Sequence, residues 1–269
     1  MTATDVAPTE TLAYRSPLGW AVQDALAIAQ RNLIALFRVP TTLVFSTIQP
    51  VIFVLMFRYV FGGAVRTPGF RYVDFLMPGI FVQTVTFGSI NTGVGLAEDL
   101  SKGLIERFRS LAMARSAVLA GRTLADVVRN FIVIVLMVTV GFLVGFHLYT
   151  NVFCLLAGVV LMLFFGFAMS WLMALIGLST GNAEAAQAAA FPFMALLVFA
   201  SNAFVPTETM PRFLRAYANH QPVSAMVSAV RALLTGGPTA SKVVAALAWT
   251  VGVIAVFAPL AVRRYRRAA

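Results

Sequence analysis

Long uncharged runs broken by short polar stretches set the pattern of this chain. Val39 to Phe57 is nineteen residues without a charged side chain, Phe75 to Ala97 is twenty-three, and Asn130 to Ala183 is fifty-four. About twenty apolar residues in a helix cross a hydrocarbon core of about 30 Å. The longest run would be a helix of about 80 Å at 1.5 Å per residue, so it predicts two spans with a turn between them. His147-Leu148-Tyr149-Thr150-Asn151 is the polar spot where that turn belongs. The next turn is predicted at STGNAEAAQ, residues 179–187, which opens on Ser, Thr, Gly and Asn. The pattern gives an all-α polytopic membrane protein with six transmembrane helices, at about 40–61, 75–97, 126–146, 152–178, 185–203 and 243–262. Together they form one membrane domain over residues 18–262. Gln49-Pro50 lies inside the first span and is expected to kink it. Pro192 lies inside the fifth. Gly79, Gly88, Gly93 and Gly95 lie in the second; small residues let helices approach closely in lipid, so this span is expected to pack on protein along one face.

Three stretches depart from the spanning pattern. Residues 18–37 place Leu18, Val22, Leu26, Ala29, Leu33 and Leu36 at helical spacing but include Asp24 and Arg31, which predicts an amphipathic helix lying in the interface. Residues 62–73, GGAVRTPGFRYV, read as a loop. In residues 204–237, only fifteen uncharged residues separate Arg215 from Arg231, too few to span. Pro211 and Pro222 are each suited to open a short helix, and Gly236-Gly237 to end the pair. The prediction is a re-entrant helical hairpin before the last span, tolerated where protein surrounds it.

Composition agrees with the pattern: of 269 residues, 60% are hydrophobic and 11% charged, whereas soluble domains carry about 25% charged residues. The net charge of +10 fits basic residues flanking spans and meeting anionic headgroups. With six spans both termini share one side. That side would hold thirteen of the twenty Lys and Arg residues and the opposite side seven, so the termini are expected in the cytoplasm and the protein in the cytoplasmic membrane. Residues 1–17 read as a disordered cytoplasmic tail without signal-peptide character, and 263–269 as a basic tail. One cysteine, Cys154, excludes an internal disulfide. His147 and His220 are far apart and have no acid close by in sequence, so no metal site is expected.

Catalytic patterns are missing from the sequence. Lys102 and Lys242, the only lysines, each follow Ser rather than Gly, so there is no P-loop. No HExxH occurs, and no hydrolase triad has sequence support. The middles of the spans carry no ionised residue of the kind that proton- or ion-coupled carriers use. Energy for active transport would then enter from another chain. One block offers a point of entry. Residues 98–130 hold six of the twenty basic residues and four of the ten acids, between the second and third spans. Leu100, Leu104, Phe108 and Leu111 share one helical face, with Lys102, Glu106 and Arg109 on another. Such a helix is either a lever moved by a partner or an interfacial helix resting on headgroups.

Two stretches carry a family resemblance. GLIERFRSLAMARSAVLAGRTLADVVRN resembles the cytoplasmic loop of type-2 ABC transporter permeases, nearest to the daunorubicin-resistance permease group of actinobacteria. FVPTETMPRFLRAYANHQPVSAMVSAVRALL is similar to the same family's stretch before its last span. Ala112 stands where relatives often have Pro, and Gln221 where Asn is commoner. The resemblance implies a cytoplasmic coupling helix that docks on an ATPase, with Glu98, Lys102, Leu104, Glu106, Arg107, Phe108 and Arg109 as coupling residues. It implies that Phe204, Pro206, Met210, Pro211, Pro222 and Arg231 build the hairpin. It also implies a soluble ABC ATPase subunit, a second permease copy or paralogue, and membrane lipid as partners. ATP and Mg would sit on the ATPase, with no cofactor in this chain. The expected activity is export of a hydrophobic drug, polyketide antibiotic or lipid. The alternatives are export of a polysaccharide or lipid-linked glycan, and a stand-alone channel or scramblase.

Overall fold

The computed structural model describes residues 23, 26–27, 29–30, 34, 40–60, 62, 71–103 and 115–268. Every regular element among them is helical: α1 Pro40–Leu55, which continues into a π-turn at Met56–Val60; α2 Tyr72–Gly88; α3 Ile90–Ser101; α4 Arg115–Leu143; α5 Val152–Thr180; α6 Ala183–Phe199; a 3₁₀ turn at Thr207–Thr209; α7 Arg212–Asn219; α8 Pro222–Thr235; and α9 Thr239–Ala268. The interfacial helix expected at 18–37 lies largely outside the described residues, although positions 23, 26, 27, 29, 30 and 34 are helical. The expected loop at 62–73 also falls mostly outside them.

Four stretches are long and apolar enough to cross a membrane: Tyr72–Ser101, Gly121–Leu143, Val152–Thr180 and Thr239–Arg267. The expected second, third, fourth and sixth spans fall on these. Tyr72–Ser101 is α2 and α3 in succession, interrupted at Ser89, whose backbone stays helical at φ −66° and ψ −21°. The expected first and fifth spans correspond to shorter apolar helices, Ile48–Val60 and Ala183–Phe199. The seventeen residues of α6 rise about 25 Å, short of a full core of about 30 Å.

Local chemistry explains the turns. The Asn151 side chain caps α5 by accepting from the Cys154 N–H at 2.9 Å. At its other end α5 stops at Gly181, in the left-handed region at φ +78°. Asn182 follows at once and caps α6, accepting from the Ala185 N–H at 2.7 Å. A left-handed Gly next to a capping Asn turns the chain in two residues. Pro222 sits in the first turn of α8, and the side chain of Gln221 accepts from the Val223 N–H at 3.1 Å. Gly236 and Gly237 leave α8 at φ +88° and +114°.

Helix α5 is central, packed against α9, α3, α4, α8, α2 and α6. Its approach to α3 is backbone to backbone: a Cβ on Gly93 would meet the Met173 carbonyl oxygen, and one on Gly177 the Gly93 carbonyl. Phe81, Ile80, Met77, Met137, Met162, Phe165 and Met169 fill the core around it, each fully buried. Helix α2 is surrounded; fourteen of its seventeen residues are buried. The expectation of protein along one face therefore understated its burial.

Candidate functional site

A cavity of about 470 Å³ opens between α1, α2, α3, α4 and α6. Its chemistry is set by side-chain amides. Gln83 and Asn130 are buried at its floor, and Gln49, Asn91 and Gln187 are exposed around its mouth. Phe87 and Phe191 line one part of the wall with ring centroids 5.7 Å apart. The Thr84 hydroxyl donates to the Ile80 carbonyl at 2.8 Å. The Gln83 Oε1 is buried and has no hydrogen-bond partner among the described residues.

The charged residue on the cavity wall, Arg129, is tied down on both sides. Its Nη1 lies 3.1 Å from Asp126 Oδ1, and its Nη2 donates to the Gly88 carbonyl at 2.6 Å. Asp126 also accepts from the Thr92 hydroxyl. That bond joins α4 to α3, and so does the ion pair of Arg122 with Asp99. These contacts stitch together the two helices that flank residues 104–114. A buried guanidinium needs a paired carboxylate and satisfied hydrogen bonds, and both are present here. Close packing matters as well, because a Cβ on Gly95 would collide with the Arg122 guanidinium.

The expected coupling residues divide. Glu98 lies in the last turn of α3, where it pairs with Lys102 four residues on, at 2.5 Å, both side chains half exposed or more. This hydrogen bond raises the Lys102 pKa above its ordinary value, although solvent screening keeps such a pair weak. Leu104, Glu106, Arg107, Phe108 and Arg109 lie outside the described residues.

The expected hairpin residues all lie on one folded segment. Phe204 is buried and stacked on Phe57, ring centroids 4.6 Å apart, and its carbonyl accepts from the Tyr72 hydroxyl at 3.2 Å. Pro206 precedes the 3₁₀ turn, Met210 follows it, and Pro211 is the N-cap residue of α7. Arg231 on α8 donates to the Phe75 carbonyl at 3.2 Å and the Asn202 carbonyl at 2.9 Å, with its guanidinium 3.7 Å from the centre of the Phe75 ring. It therefore clamps the hairpin to the first turn of α2. A few residues away, buried Asp74 accepts from Arg71 at 3.0 Å, from the His147 N–H at 2.9 Å and from the Tyr149 hydroxyl at 2.9 Å. The Tyr149 N–H donates to the Leu234 carbonyl at 3.1 Å and the Thr150 hydroxyl to the Leu233 carbonyl at 2.7 Å. The α4–α5 turn is thus bound to both α2 and the hairpin.

Neither the amide-lined cavity nor the Asp74 cluster was found from sequence. Gln83 had a visible signal, a lone carboxamide inside LMPGIFVQTVTF. A search for ionised side chains passes over it.

Comparison with known proteins gives the chain a family. The family model described as "ABC-2 type transporter" matches residues 23–235. The chain is 35% identical over 246 residues to the daunorubicin resistance ABC transporter permease protein DrrB1 of Streptomyces coeruleorubidus, covering 91% of this chain and 87% of that protein. It is 27% identical over 210 residues to the doxorubicin resistance ABC transporter permease protein DrrB of Mycobacterium tuberculosis, covering 75% and 72%.

Proposed function

Because the chain belongs to the ABC-2 type transporter family, we propose that it is the membrane permease of an exporter for a hydrophobic drug, polyketide antibiotic or lipid, driven by ATP that a separate subunit hydrolyses. The observation that carries this reading is the likeness, over nine-tenths of the chain, to a permease named for daunorubicin resistance. The sequence supports the division of labour, since neither lysine lies in a P-loop. ATP and Mg belong to the ATPase in this scheme, and a second permease copy or paralogue completes the membrane unit. Six crossings with both termini in the cytoplasm put residues 98–115 on the ATPase side, where Glu98, Lys102, Leu104, Glu106, Arg107, Phe108 and Arg109 receive its motion. The Arg122–Asp99 ion pair and the Thr92–Asp126 hydrogen bond between α3 and α4 support the transmission step, because two helices joined by largely buried polar contacts move together. The amide-lined cavity is the cargo site in this reading. Its volume falls within the roughly 300–1,000 Å³ typical of small-molecule sites.

Proteoliposomes holding the permease and its ATPase should accumulate daunorubicin only with MgATP. Equal accumulation without the ATPase would overturn the proposal and favour a stand-alone channel. Replacing Glu106 and Arg107 by Ala should leave ATP hydrolysis running while cargo movement falls about tenfold, the loss expected of a coupling interaction of about 1.4 kcal/mol.

A further inference from the structure

We propose that the groove between the last turns of α9 and α5 binds one anionic phospholipid of the surrounding bilayer, with the headgroup phosphate on Arg263, Arg264 and Arg267 and an acyl chain against Leu175 and Leu260. Those five residues line an opening of about 250 Å³. Leu260, Arg263, Arg264 and Arg267 stand at i, i+3, i+4 and i+7, so they share one face of the helix. Packing fixes the rotation of that face. Tyr265 and Ala261 are buried in a cluster with Leu96, Trp171, Ala174 and Leu178, which holds the end of α9 against α5. Arg266 is exposed as well but does not line the groove.

Depth and charge together select the occupant. The uncharged run from Val243 to Val262 holds twenty residues. It rises about 30 Å, which matches the hydrocarbon core. Arg263 therefore stands at the level of the lipid phosphates, whichever side of the membrane that end of α9 faces. Leu260 and Leu175 lie inside helices long and apolar enough to cross a membrane. A groove that is cationic at headgroup depth and apolar one turn below it has the polarity of a phospholipid. A water-soluble partner reaches the arginines but not the leucines. No Asp or Glu lines the groove, and no carboxylate pairs with any of the three arginines among the described residues. Three like charges around one opening repel one another, and a phosphate offers the planar guanidinium the acceptor pair it bonds best. A zwitterionic headgroup brings its own cation into that field, so the site favours a lipid of net negative charge.

General attraction to an anionic surface treats the four arginines of RRYRR alike, whereas a built groove does not. Native mass spectrometry of the full chain in detergent micelles separates the two, by counting lipids bound as phosphatidylglycerol or phosphatidylcholine of the same chain length is added. The wild type should take up its first phosphatidylglycerol about tenfold more tightly than phosphatidylcholine. Arg264→Gln and Arg267→Gln, at exposed positions where folding is least at risk, should each weaken that first binding about tenfold. Arg266→Gln removes the same charge and should weaken it less than about twofold. Glycerophosphoglycerol, the same headgroup without chains, should compete at least about a hundredfold less well, because it leaves the leucines uncovered. Equal affinity for the two lipids overturns the preference for negative charge. Equal effects of Arg264→Gln, Arg267→Gln and Arg266→Gln, or none, overturn the groove and leave only general attraction. Competition by glycerophosphoglycerol as strong as by the lipid overturns a lipid occupant in favour of a soluble phosphate ester. Neither ATPase nor nucleotide is present in this measurement, so its outcome stands apart from the export reading.

Discussion

Two long helical stretches of this protein meet opposite surroundings. In Tyr72–Ser101, formed by α2 and α3, 78% of the most apolar window is buried inside the protein; in Thr239–Arg267, on α9, the figure is 17%. The buried stretch is the less apolar of the two. It carries Asp74, Gln83, Thr84, Thr86, Ser89 and Thr92, all buried, while α9 shows lipid-type side chains such as Val244, Leu247, Val251, Val256 and Leu260 at its exposed face. In water the order would be reversed. In a membrane the lipid-facing helix must be apolar, whereas polar groups are tolerated where other helices supply hydrogen bonds. The Thr84 and Thr86 hydroxyls donate to the carbonyls four residues back, at 2.8 and 2.7 Å, and Asp126 on α4 accepts from Thr92. Burial of α2 and α3 in protein is what makes room for a polar cavity beside them.

The comparison predicts that substitutions beside α2 and α3 are severe and those on α9 mild. The largest effect is expected for Asp126→Leu. It strips the carboxylate from Arg129 and leaves a buried guanidinium with only a carbonyl partner, a loss of about 3–5 kcal/mol. Thermal unfolding in nanodiscs should show this as a large fall in Tm. The double variant Asp126→Leu/Arg129→Leu should recover much of the loss, because no lone charge remains. If the single and double variants are equally destabilised, the loss does not come from a lone buried charge on α4.

How much of this was legible in the sequence follows from the range of each interaction. The turns at 147–151 and 179–187 could be read because their causes are local, in Asn151, Gly181 and Asn182. The hairpin helices could be placed from Pro211 and Pro222 for the same reason. The cavity could not be read, because Gln83 does not interrupt an uncharged run and its neighbours come from four other helices. Asp74 was missed by one residue: the uncharged run begins at Phe75, but α2 begins at Tyr72, and the groups that stabilise this carboxylate come from residues 71, 147 and 149. The charge of 98–130 stands out in the sequence, yet its ends continue into the helical stretches Tyr72–Ser101 and Gly121–Leu143, and the pairing of Arg122 with Asp99 and of Arg129 with the Gly88 carbonyl depends on two helices meeting, which no periodicity reports. The family resemblance drawn from two motifs held over the whole matched region.

Two glycines set the comparison at a smaller scale. Gly177→Val puts a branched side chain where the α3 backbone at Gly93 already lies. Backbone cannot yield as a flexible side chain does, so a loss of about 3 kcal/mol is expected, visible as a lower Tm. Gly252 on α9 is the counterpart: exposed, helical, and with nothing within 4 Å of an added Cβ. Gly252→Ala should raise stability by up to about 1 kcal/mol, because alanine restricts the unfolded chain and favours helix without meeting a neighbour. Gly252→Leu should be tolerated too, since a leucine there meets lipid. A loss at Gly252 as large as at Gly177 would mean that the α9 face is covered by another protein chain, and the contrast between the two helices would then describe an isolated subunit rather than the assembled transporter.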